Sequence, residues 1–223
     1  MLRRPRTPSS TIMKPLLPIL LWSVASYVLG CVSAAYYALR LRTGQDIRGM
    51  GSGNAGARNA GRVLGRGGFV LVFVADAAKG SFAVWGAQQL GLGALGATAA
   101  MLAVVAGHIW PVQLGFRGGK GISTSFGALL LLDWRVALMG MALCLVLFAL
   151  SRHFTLAGLL AVAAVPGLAA AREHPLATLA GVTLLAAVVL GVHHENVRRI
   201  PGELASARLA RRARAAEPPR RTV

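Results

Sequence analysis

The chain has 223 residues, of which 55% are apolar and only 14% are charged, and its mean hydropathy is +0.60. Such a low charged fraction excludes an ordinary soluble domain and indicates an integral membrane protein. The net charge of +17 does not indicate nucleic-acid binding, because the basic residues fall in short tracts between apolar runs and form no compact basic domain.

The first predicted span is 15–41, which is long enough to cross about 30 Å of hydrocarbon at about 1.5 Å per residue. A polar loop, 42–65, follows, and its part from Asp46 to Arg62 contains five glycines and three arginines. The glycines let backbone N–H groups turn toward one point, and the arginines supply positive charge. We predict that this loop binds phosphate at the membrane surface; the alternative is a flexible basic linker that touches lipid headgroups.

Asp76 and Lys79 are the charged residues of the second predicted span, 67–90. They lie three positions apart, so they share a helical face and can pair with each other instead of facing lipid singly. We predict a buried ion pair that stabilises the bundle, with direct participation in chemistry as the alternative. A third span, 97–116, follows after a short uncharged turn.

Asp133 interrupts the next apolar stretch, 122–150, which could form one long helix or two short ones. With two helices the chain crosses the membrane seven times, and most of its 24 Lys and Arg residues lie on the face of the polar loop. One long helix would place the arginine-rich C-terminal tail on the opposite face. The positive-inside rule therefore favours seven spans, with the N-terminus outside and the C-terminus in the cytoplasm.

The last two predicted spans are 155–171 and 175–192. The predicted fold is thus all-α, a polytopic integral membrane bundle of seven transmembrane helices. Its membrane domain covers 15–200 and lies between a basic N-terminal tail, 1–14, and a basic C-terminal tail, 201–223.

Four polar segments lie on the cytoplasmic face of this arrangement, whereas the turns on the other face are chemically plain. The four segments are 46–62, 108–120, 151–155 and 193–196. Hydrophobicity alone does not require polar donors to gather on one side of the membrane. We therefore predict a functional site where these segments meet.

Single residues in these segments have both structural and functional interpretations. Lys120 is flanked by glycines, which favours a ligand contact over a simple membrane anchor, whereas His108 beside a helix end is more typical of a structural histidine. His193 and Asn196 share a helical face, with Glu195 directed elsewhere, and a polar helix cap is their alternative interpretation. No metal or other cofactor is expected, since no His-x-x-x-His spacing occurs and both cysteines lie inside apolar spans.

Three sequence motifs occur in a fixed order: D-I-R-x-x-G-S-G-N-x-G-x-x-N-x-x-R, then G-H-x-x-P with F-R-G-G-K-G, then H-x-E-N-x-x-R. Over residues 15–203, these motifs and the spans between them resemble the acyl-phosphate-dependent glycerol-3-phosphate acyltransferases of bacteria, the PlsY family. The resemblance implies a seven-span enzyme of the inner membrane. It also implies transfer of a fatty acyl group from acyl phosphate to the 1-hydroxyl of sn-glycerol 3-phosphate, which yields lysophosphatidic acid and phosphate in the first acylation of phospholipid synthesis.

The resemblance also identifies functional positions. The resemblance implies that the serine and arginine of the family's first motif correspond to Ser52 and Arg62, and that its lysine corresponds to Lys120. The histidine and asparagine of the third motif correspond to His193 and Asn196, and a hydroxyl before the sixth span corresponds to Thr155. Two positions depart from the family pattern, because Ala55 replaces a common proline and Arg58 replaces a common threonine. These departures bear on substrate preference more than on the fold.

Together with the donor-rich loops, these positions define the predicted site. The predicted catalytic residues are His193, Asn196, Lys120 and Arg62. Phosphate contacts are predicted at Ser52, Gly53, Asn54, Asn59, Arg62, Gly118, Gly119, Lys120 and Thr155. Supporting roles are predicted for Asp46, Arg48, His108 and Glu195.

An acyl phosphate is already activated, so a covalent enzyme intermediate is unnecessary. We expect direct attack of the hydroxyl on the acyl carbonyl, with His193 or the donor's own phosphate as the proton acceptor. The expected partners are acyl phosphate, glycerol 3-phosphate, membrane lipids and an upstream enzyme that forms acyl phosphate, and the protein is expected to be a monomer whose site faces the cytoplasm. The alternative function is a small transporter or binding protein for phosphorylated organic anions, with Asp76 and Lys79 as its coupling pair.

Overall fold

The computed structural model describes residues 16–198 and 200–202, and every regular element in these ranges is helical. The α-helices are α1 (Leu16–Cys31), α2 (Ala34–Thr43), α3 (Ala57–Gln89), α4 (Gly93–Ile109), α5 (Ile122–Leu132), α6 (Trp134–Ser151), α7 (Phe154–Ala170) and α8 (Leu176–Val192). A further helical segment, His194–Gly202, is bent by 57° from α8. The predicted N-terminal tail, 1–14, and the predicted C-terminal tail beyond residue 202 lie outside the described residues.

Four helical stretches are long and apolar enough to cross a membrane: Leu16–Thr43, Ala57–Gln89, Gly93–Leu114 and Trp134–Ser151. A fifth results if α8 is counted together with its bent continuation, whereas α5 and α7 are apolar but shorter. Helices satisfy their own backbone hydrogen bonds, which a chain surrounded by lipid requires. The described residues therefore form an all-helical bundle with the character of a multi-pass membrane protein.

The first predicted span is interrupted near its end, at Val32 and Ser33, where α1 stops and α2 begins. Ser33 caps α2, because its hydroxyl accepts a hydrogen bond from the backbone N–H of Tyr36 at 3.4 Å. The helix α2 then ends at Gly44, whose φ of 74° lies in the left-handed region. The chain thus enters the polar loop at a defined turn.

Residues 57–64, which the sequence analysis assigned to the polar loop, form the start of α3 instead. Gly65 has a φ of 78° and a ψ of −171°, so α3 is kinked there and the predicted second span continues beyond it. The third span also differs from its predicted bounds, since α4 begins at Gly93 and ends at Ile109. Pro111 disfavours helical backbone in the residue before it, which explains the early end.

Asp133 separates α5 from α6, which confirms the prediction of two helices in this apolar stretch. Its carboxylate caps α6 by accepting hydrogen bonds from the backbone N–H groups of Arg135 at 2.8 Å and Val136 at 3.3 Å. The other carboxylate oxygen lies 3.2 Å from Nε of Arg172 and 2.9 Å from Nε2 of His174. Asp133 therefore ties the turn between α5 and α6 to the turn between α7 and α8.

The helix α4 lies at the centre of the bundle, where it contacts α1, α3, α5 and α8. Its residues Met101, Val104 and Val105 are buried in the main hydrophobic core. Two helix crossings are close enough to require glycine. A Cβ atom at Gly107 would collide with the backbone of α1, and one at Gly127 would collide with the backbone of α3. These crossings fix the relative positions of the helices that carry the site.

A smaller hydrophobic core anchors the polar loop against α2 and α3. Ile47 and Ala55, near the two ends of the loop, are fully buried in this core together with Ala60 and Val72. Burial at both ends is not what a flexible linker would show, because apolar packing holds the loop in one place. The polar residues between positions 47 and 55 consequently have defined positions.

Candidate active site

A cavity of about 490 Å³ lies where the polar loop, α3, α4, α5, α6, α7 and the end of α8 meet. Its polar lining residues are Ser52, Asn54, Arg58, Asn59, Arg62, Asp76, His108, Lys120, Ser123, Thr155, His193, Glu195 and Asn196. Its apolar lining residues include Phe69, Phe73, Ile122, Met141, Cys144, Leu145 and Phe154. Residues from all four predicted polar segments are therefore brought together at one cavity. Within residues 16–198 and 200–202, no group of three or more His, Cys, Asp or Glu side chains is arranged to hold a metal ion.

Lys120 is tied to the segment after α8. Its Nζ donates a hydrogen bond to Oδ1 of Asn196 at 2.7 Å, and both side chains are half-buried. An ammonium group in a partly desolvated cavity attracts an anion more strongly than one in bulk water. The bond therefore holds a cation at the cavity in a fixed position.

His193 is buried directly after α8 and lines the cavity. Its Nδ1 lies 2.7 Å from the backbone carbonyl oxygen of Val189, and because a carbonyl only accepts, Nδ1 must carry the hydrogen. Burial lowers the pKa of His193, and the charges of Lys120 and Arg58 lower it further, against the opposing effect of the backbone hydrogen bond. The neutral imidazole is thus favoured, and its Nε2 has a free lone pair that can accept a proton.

Asn59 holds the polar loop in shape. Its Oδ1 accepts a hydrogen bond from the backbone N–H of Ser52 at 2.8 Å, and its Nδ2 lies 3.0 Å from the carbonyl oxygen of Met50 and 3.3 Å from that of Ile47. Asn59 lines the cavity while its amide bonds to the loop's own backbone, and the phosphate contact at this position stays a prediction. The N–H of Gly53 donates to the carbonyl of Met50 at 3.0 Å, and its predicted phosphate contact likewise stays a prediction.

Ser52 and Asn54 do line the cavity, as the predicted phosphate contacts at these positions require. Asn54 is half-buried, and within the described part of the chain its Oδ1 is a buried atom with no hydrogen-bond partner. A buried acceptor without a donor is costly unless a ligand supplies the donor. The Asn54 amide is consequently suited to a substrate hydroxyl.

Gly118 and Gly119 support the cavity from outside rather than line it. The N–H of Gly118 donates to the carbonyl of Ile109 at 3.1 Å, and the N–H of Gly119 donates to the carbonyl of His108 at 3.0 Å. Both N–H groups are thus hydrogen-bonded within the protein, and the phosphate contacts at these two positions stay predictions. A Cβ atom at Gly119 would overlap the imidazole of His108, so the glycine is needed for the close packing of this turn against His108.

Asp46 and Arg48 lie outside the cavity and brace the loop. Nη2 of Arg48 lies 2.7 Å from Oδ2 of Asp46, and this hydrogen-bonded pairing lowers the pKa of Asp46 despite partial burial. The same guanidinium donates to the carbonyl of Leu114 and lies 5.4 Å from the centre of the Tyr36 ring. The pair therefore joins the polar loop to α2 and to the turn after α4.

Arg62 and Glu195 both line the cavity. Among residues 16–198 and 200–202, neither side chain has a hydrogen bond or an ion pair, so the guanidinium of Arg62 can bind an anion without first breaking such a contact. The position of Glu195 corrects the prediction that it points elsewhere, because it lines the same cavity as His193 and Asn196. The bend after α8 explains the difference, since the prediction assumed a straight helix.

Arg58 lines the cavity, although the sequence analysis names it only as a departure from the family pattern and not as a site residue. It donates a hydrogen bond to Oγ1 of Thr155, and its guanidinium lies 5.7 Å from the centre of the Phe154 ring. Arg58 and Arg62 are four positions apart at the start of α3, so they project from one helical face. That spacing is the available signal in the sequence, but the glycines of the segment predict a loop.

Asp76 and Lys79 form the predicted buried ion pair, with Oδ1 and Nζ 2.8 Å apart and both side chains buried. Asp76 also lines the cavity, as does His108. The prediction of an intramembrane pair is confirmed, and the pair lies next to the site rather than in a separate part of the bundle.

Comparison with protein families supports one assignment. A family model described as glycerol-3-phosphate acyltransferase matches residues 20–202. The chain is 40% identical over 177 residues to glycerol-3-phosphate acyltransferase 1 of Desulfitobacterium hafniense (strain Y51), covering 79% of this chain and 88% of the relative. It is also 40% identical over 185 residues to the glycerol-3-phosphate acyltransferase of Synechococcus sp. (strain JA-2-3B'a(2-13)), covering 83% of this chain and 92% of the relative.

Two solved structures are similar to this one. The crystal structure of PlsY (YgiH), an integral membrane glycerol 3-phosphate acyltransferase, in its glycerol 3-phosphate form superposes with a TM-score of 0.79 at 31% identity, over 84% of this chain and 94% of that chain. The lysophosphatidic acid form of PlsY gives a TM-score of 0.76 at 29% identity, over 84% of this chain and 93% of that one. The similarity extends over nearly the whole helical bundle.

Proposed function

The chain belongs to the family of glycerol-3-phosphate acyltransferases, and we propose that it transfers a fatty acyl group from acyl phosphate to the 1-hydroxyl of sn-glycerol 3-phosphate. The products are lysophosphatidic acid and phosphate, in the first acylation of bacterial phospholipid synthesis. The observation that carries this proposal is the single cavity in which cationic side chains from separate segments lie beside apolar ones. Both substrates carry phosphate, and the acyl donor also carries a hydrocarbon chain.

Arg62 and Lys120 are the proposed phosphate-binding cations, with Ser52, Asn54 and Thr155 as neutral contacts. Lys120 is held by Asn196, so its ammonium is oriented before the substrate arrives. Charged groups that are already oriented stabilise developing negative charge without reorganisation. Holding two phosphate-bearing molecules together also converts a reaction between separate molecules into one within a complex. Positioning therefore supplies much of the proposed catalysis.

His193 is the proposed proton acceptor. In the reaction, the 1-hydroxyl oxygen forms a bond to the acyl carbon, and the bond between that carbon and the phosphate oxygen breaks. The hydroxyl proton moves to the free Nε2 lone pair of His193 or, in the alternative, to the departing phosphate. The fixed Nδ1–H of His193 leaves Nε2 as the accepting nitrogen, and the lowered pKa keeps the imidazole in the neutral form that can take up a proton.

The apolar lining residues are the proposed contacts of the acyl chain. Phe69 and Phe73 stack with ring centres 6.0 Å apart, and Met141 and Leu145 of α6 line the same cavity. Burying apolar chain against such residues is favourable by about 25 cal/mol per Å². One cavity can therefore hold a lipid chain and two phosphates.

The proposed topology has seven crossings, with the N-terminus outside and the C-terminus in the cytoplasm. It counts α5 and α7 as crossings, although they have 11 and 17 residues and require local thinning of the bilayer or burial in protein. Residues 15–200 form the proposed membrane acyltransferase domain, and the basic tails flank it. We place the protein in the inner membrane as a monomer that receives acyl phosphate from an upstream enzyme, with its site open to the cytoplasm.

A two-substrate assay tests the proposed activity. Purified protein is expected to release phosphate from palmitoyl phosphate only when glycerol 3-phosphate is also present. Flux of glycerol 3-phosphate into sealed vesicles without phosphate release would instead support the transporter hypothesis. The identities of the relatives favour the enzyme.

Labelling of engineered cysteines tests the topology. Arg117→Cys and Ala171→Cys, each in a background without Cys31 and Cys144, introduce exposed thiols in turns at opposite ends of the bundle. A reagent that does not cross the membrane is expected to label Arg117→Cys only from the cytoplasmic side and Ala171→Cys only from the outside. Labelling of both from one side would contradict the seven-span proposal.

A further inference from the structure

Lys79 is the centre of a buried polar cluster beside the cavity. Its Nζ donates to the carbonyl oxygens of Gly30 at 3.0 Å and Val32 at 2.8 Å, where α1 ends. The same Nζ lies 2.8 Å from Oδ1 of Asp76 and 2.9 Å from Nδ1 of His108. The exposed fractions of Asp76, Lys79 and His108 are only 0%, 8% and 3%, so bulk water does not compete for these contacts.

The cluster determines which nitrogen of His108 carries hydrogen. The ammonium of Lys79 has no lone pair, and its three hydrogens go to the carbonyls of Gly30 and Val32 and to Nδ1 of His108, which is therefore the acceptor. The Asp76 carboxylate is an ion-pair partner without a hydrogen bond among the described residues. Oδ1 of Asp76 lies 3.5 Å from that Nδ1, which is too long for it to be the principal partner. A neutral His108 therefore carries its hydrogen on Nε2.

The Nε2 edge of His108 faces away from Lys79, toward the turn between α4 and α5 that carries Lys120. The backbone of Gly119 packs directly against Nε2, and His108 lines the cavity together with Lys120. Within the described ranges, no side chain or backbone group accepts a hydrogen bond from Nε2. A buried donor without an acceptor costs free energy, and a bound substrate can supply the missing acceptor.

We propose that His108 donates a hydrogen bond from Nε2–H to a phosphate oxygen of the substrate bound at Lys120, and that Lys79 and Asp76 are positioning residues that fix this tautomer. The proposal rests on the proposed function, because it takes the phosphate bound in the cavity as the acceptor. It replaces the structural interpretation of His108 favoured by the sequence alone. A purely structural role would use Nδ1 and leave Nε2–H without a partner.

His108 and His193 then present opposite groups to one cavity. His193 has its hydrogen on Nδ1 and offers a lone pair at Nε2, whereas His108 offers a hydrogen at Nε2. The first arrangement suits removal of a proton from the hydroxyl, and the second suits binding of an anionic oxygen. The two histidines thus have different roles because Nδ1 of His193 contacts the backbone carbonyl of Val189, whereas Nδ1 of His108 contacts the ammonium of Lys79.

Nitrogen-15 NMR of protein labelled at histidine tests the tautomer without any turnover. The signals of His108 are assigned by their loss in His108→Gln, and we expect a protonated Nε2 and an unprotonated Nδ1. Added glycerol 3-phosphate, or inorganic phosphate as a simpler probe, should shift the Nε2–H signal. Protonation at Nδ1, or an Nε2–H signal that neither compound shifts, would overturn the proposal.

Lys79→Met tests the positioning role in the same experiment. Without the ammonium, Nδ1 of His108 faces only the carboxylate of Asp76, so we expect its hydrogen to move to Nδ1. An unchanged tautomer in this variant would show that Lys79 does not set it. Size-exclusion chromatography in detergent identifies variants that fail to fold, and for those the wild-type spectra still decide the tautomer.

Kinetic constants of two variants distinguish loss of the proposed hydrogen bond from a general change in the fold. His108→Asn keeps an acceptor for Lys79 but has no donor near the position of Nε2, whereas the longer amide of His108→Gln places N–H near that position. We expect kcat/KM to fall by about 10- to 100-fold in His108→Asn, as for loss of a hydrogen bond to a charged group, and by clearly less in His108→Gln. The matched control is His194→Asn, at an exposed histidine outside the cavity lining.

Wild-type kinetic constants in a folded His108→Asn would contradict the contact. Absence of any turnover in the wild-type protein would instead refute the proposed function, and in that case the NMR response to phosphate still tests His108. The two failures are therefore distinguishable.

Discussion

Nζ of Lys120 and Oδ1 of Asn196 lie 2.7 Å apart, although the two residues are separated by 76 positions in the sequence. The bond joins the turn between α4 and α5 to the segment that follows α8. A lysine side chain has several rotatable bonds and loses entropy when it is held in one position. Asn196 therefore orders the cation before a phosphate binds.

Removal of either partner tests this relationship. Lys120→Ala is expected to lower kcat/KM by about 100-fold or more, because a half-buried charge at the phosphate is lost. Asn196→Ala is expected to lower it by roughly tenfold, because the ammonium is retained but no longer held. Phosphate release with both substrates is the measurement, and the double variant should resemble Lys120→Ala alone.

Arg117→Ala is the matched control for these variants. Arg117 is exposed in the same turn and does not line the cavity, so its loss should change kcat/KM by less than about twofold. A loss in Arg117→Ala as large as that in Lys120→Ala would indicate a general effect of positive charge and not a specific contact.

The sequence could predict that distant polar segments meet, because the lengths of the apolar runs indicate where the chain crosses the membrane. Each apolar run must cross or enter the bilayer, so the runs determine which polar segments share a face. The cavity lined by Ser52, Lys120, Thr155 and His193 agrees with that reasoning. The fine contacts within each segment did not follow, because they depend on loop conformation and not on hydrophobicity.

Gly119→Ala tests the close packing of Gly119 against His108, next to Lys120. The new Cβ atom would overlap the imidazole of His108, so the turn must shift. We expect destabilisation by about 1–3 kcal/mol, typical of overpacking, together with a loss of activity as Lys120 moves. Thermal unfolding in detergent and phosphate release are the two measurements. Gly167→Ala, in α7 with open space around its Cβ position, should keep the activity and not lower the stability.

Arg58 and the turn that contains Gly118 and Gly119 show which contacts the sequence could not predict. Five glycines in one segment indicated a long loop, so the helical spacing of Arg58 and Arg62 was not recognised. At this turn, glycine next to lysine indicated backbone donors for phosphate, but the N–H groups of Gly118 and Gly119 are used within the protein. Glycine serves close packing as well as anion binding, and only the three-dimensional neighbours distinguish the two uses.

Arg58→Thr tests the electrostatic environment of His193 through the pH dependence of the reaction. The pKa of His193 is lowered first by burial and further by the charges of Lys120 and Arg58. The base form of His193 exists above this pKa, so kcat/KM falls as the pH falls through it. Removal of Arg58 raises the pKa, and the acidic limb of the profile should therefore move to higher pH.

The pH profile of His193→Gln serves as the control, since it should lack this limb altogether. An acidic limb that is the same in wild type and His193→Gln would indicate that the departing phosphate accepts the proton. An Arg58→Thr limb at lower pH than wild type would contradict the electrostatic argument.

Asp133→Asn tests the turn between α5 and α6, and Asp133 is not among the residues that line the cavity. Burial raises the pKa of Asp133, but hydrogen bonds from the backbone of Arg135 and Val136 and the side chains of Arg172 and His174 outweigh it, so the pKa is lowered. A lowered pKa stabilises the fold above the unfolded value of about 3.9 and loses this effect as the pH falls through the folded value. Asparagine keeps the cap but loses the charge, so we expect about 1 kcal/mol lower stability at neutral pH and no difference in strong acid. Denaturant unfolding at both pH values measures this, with the exposed Glu173→Gln as control.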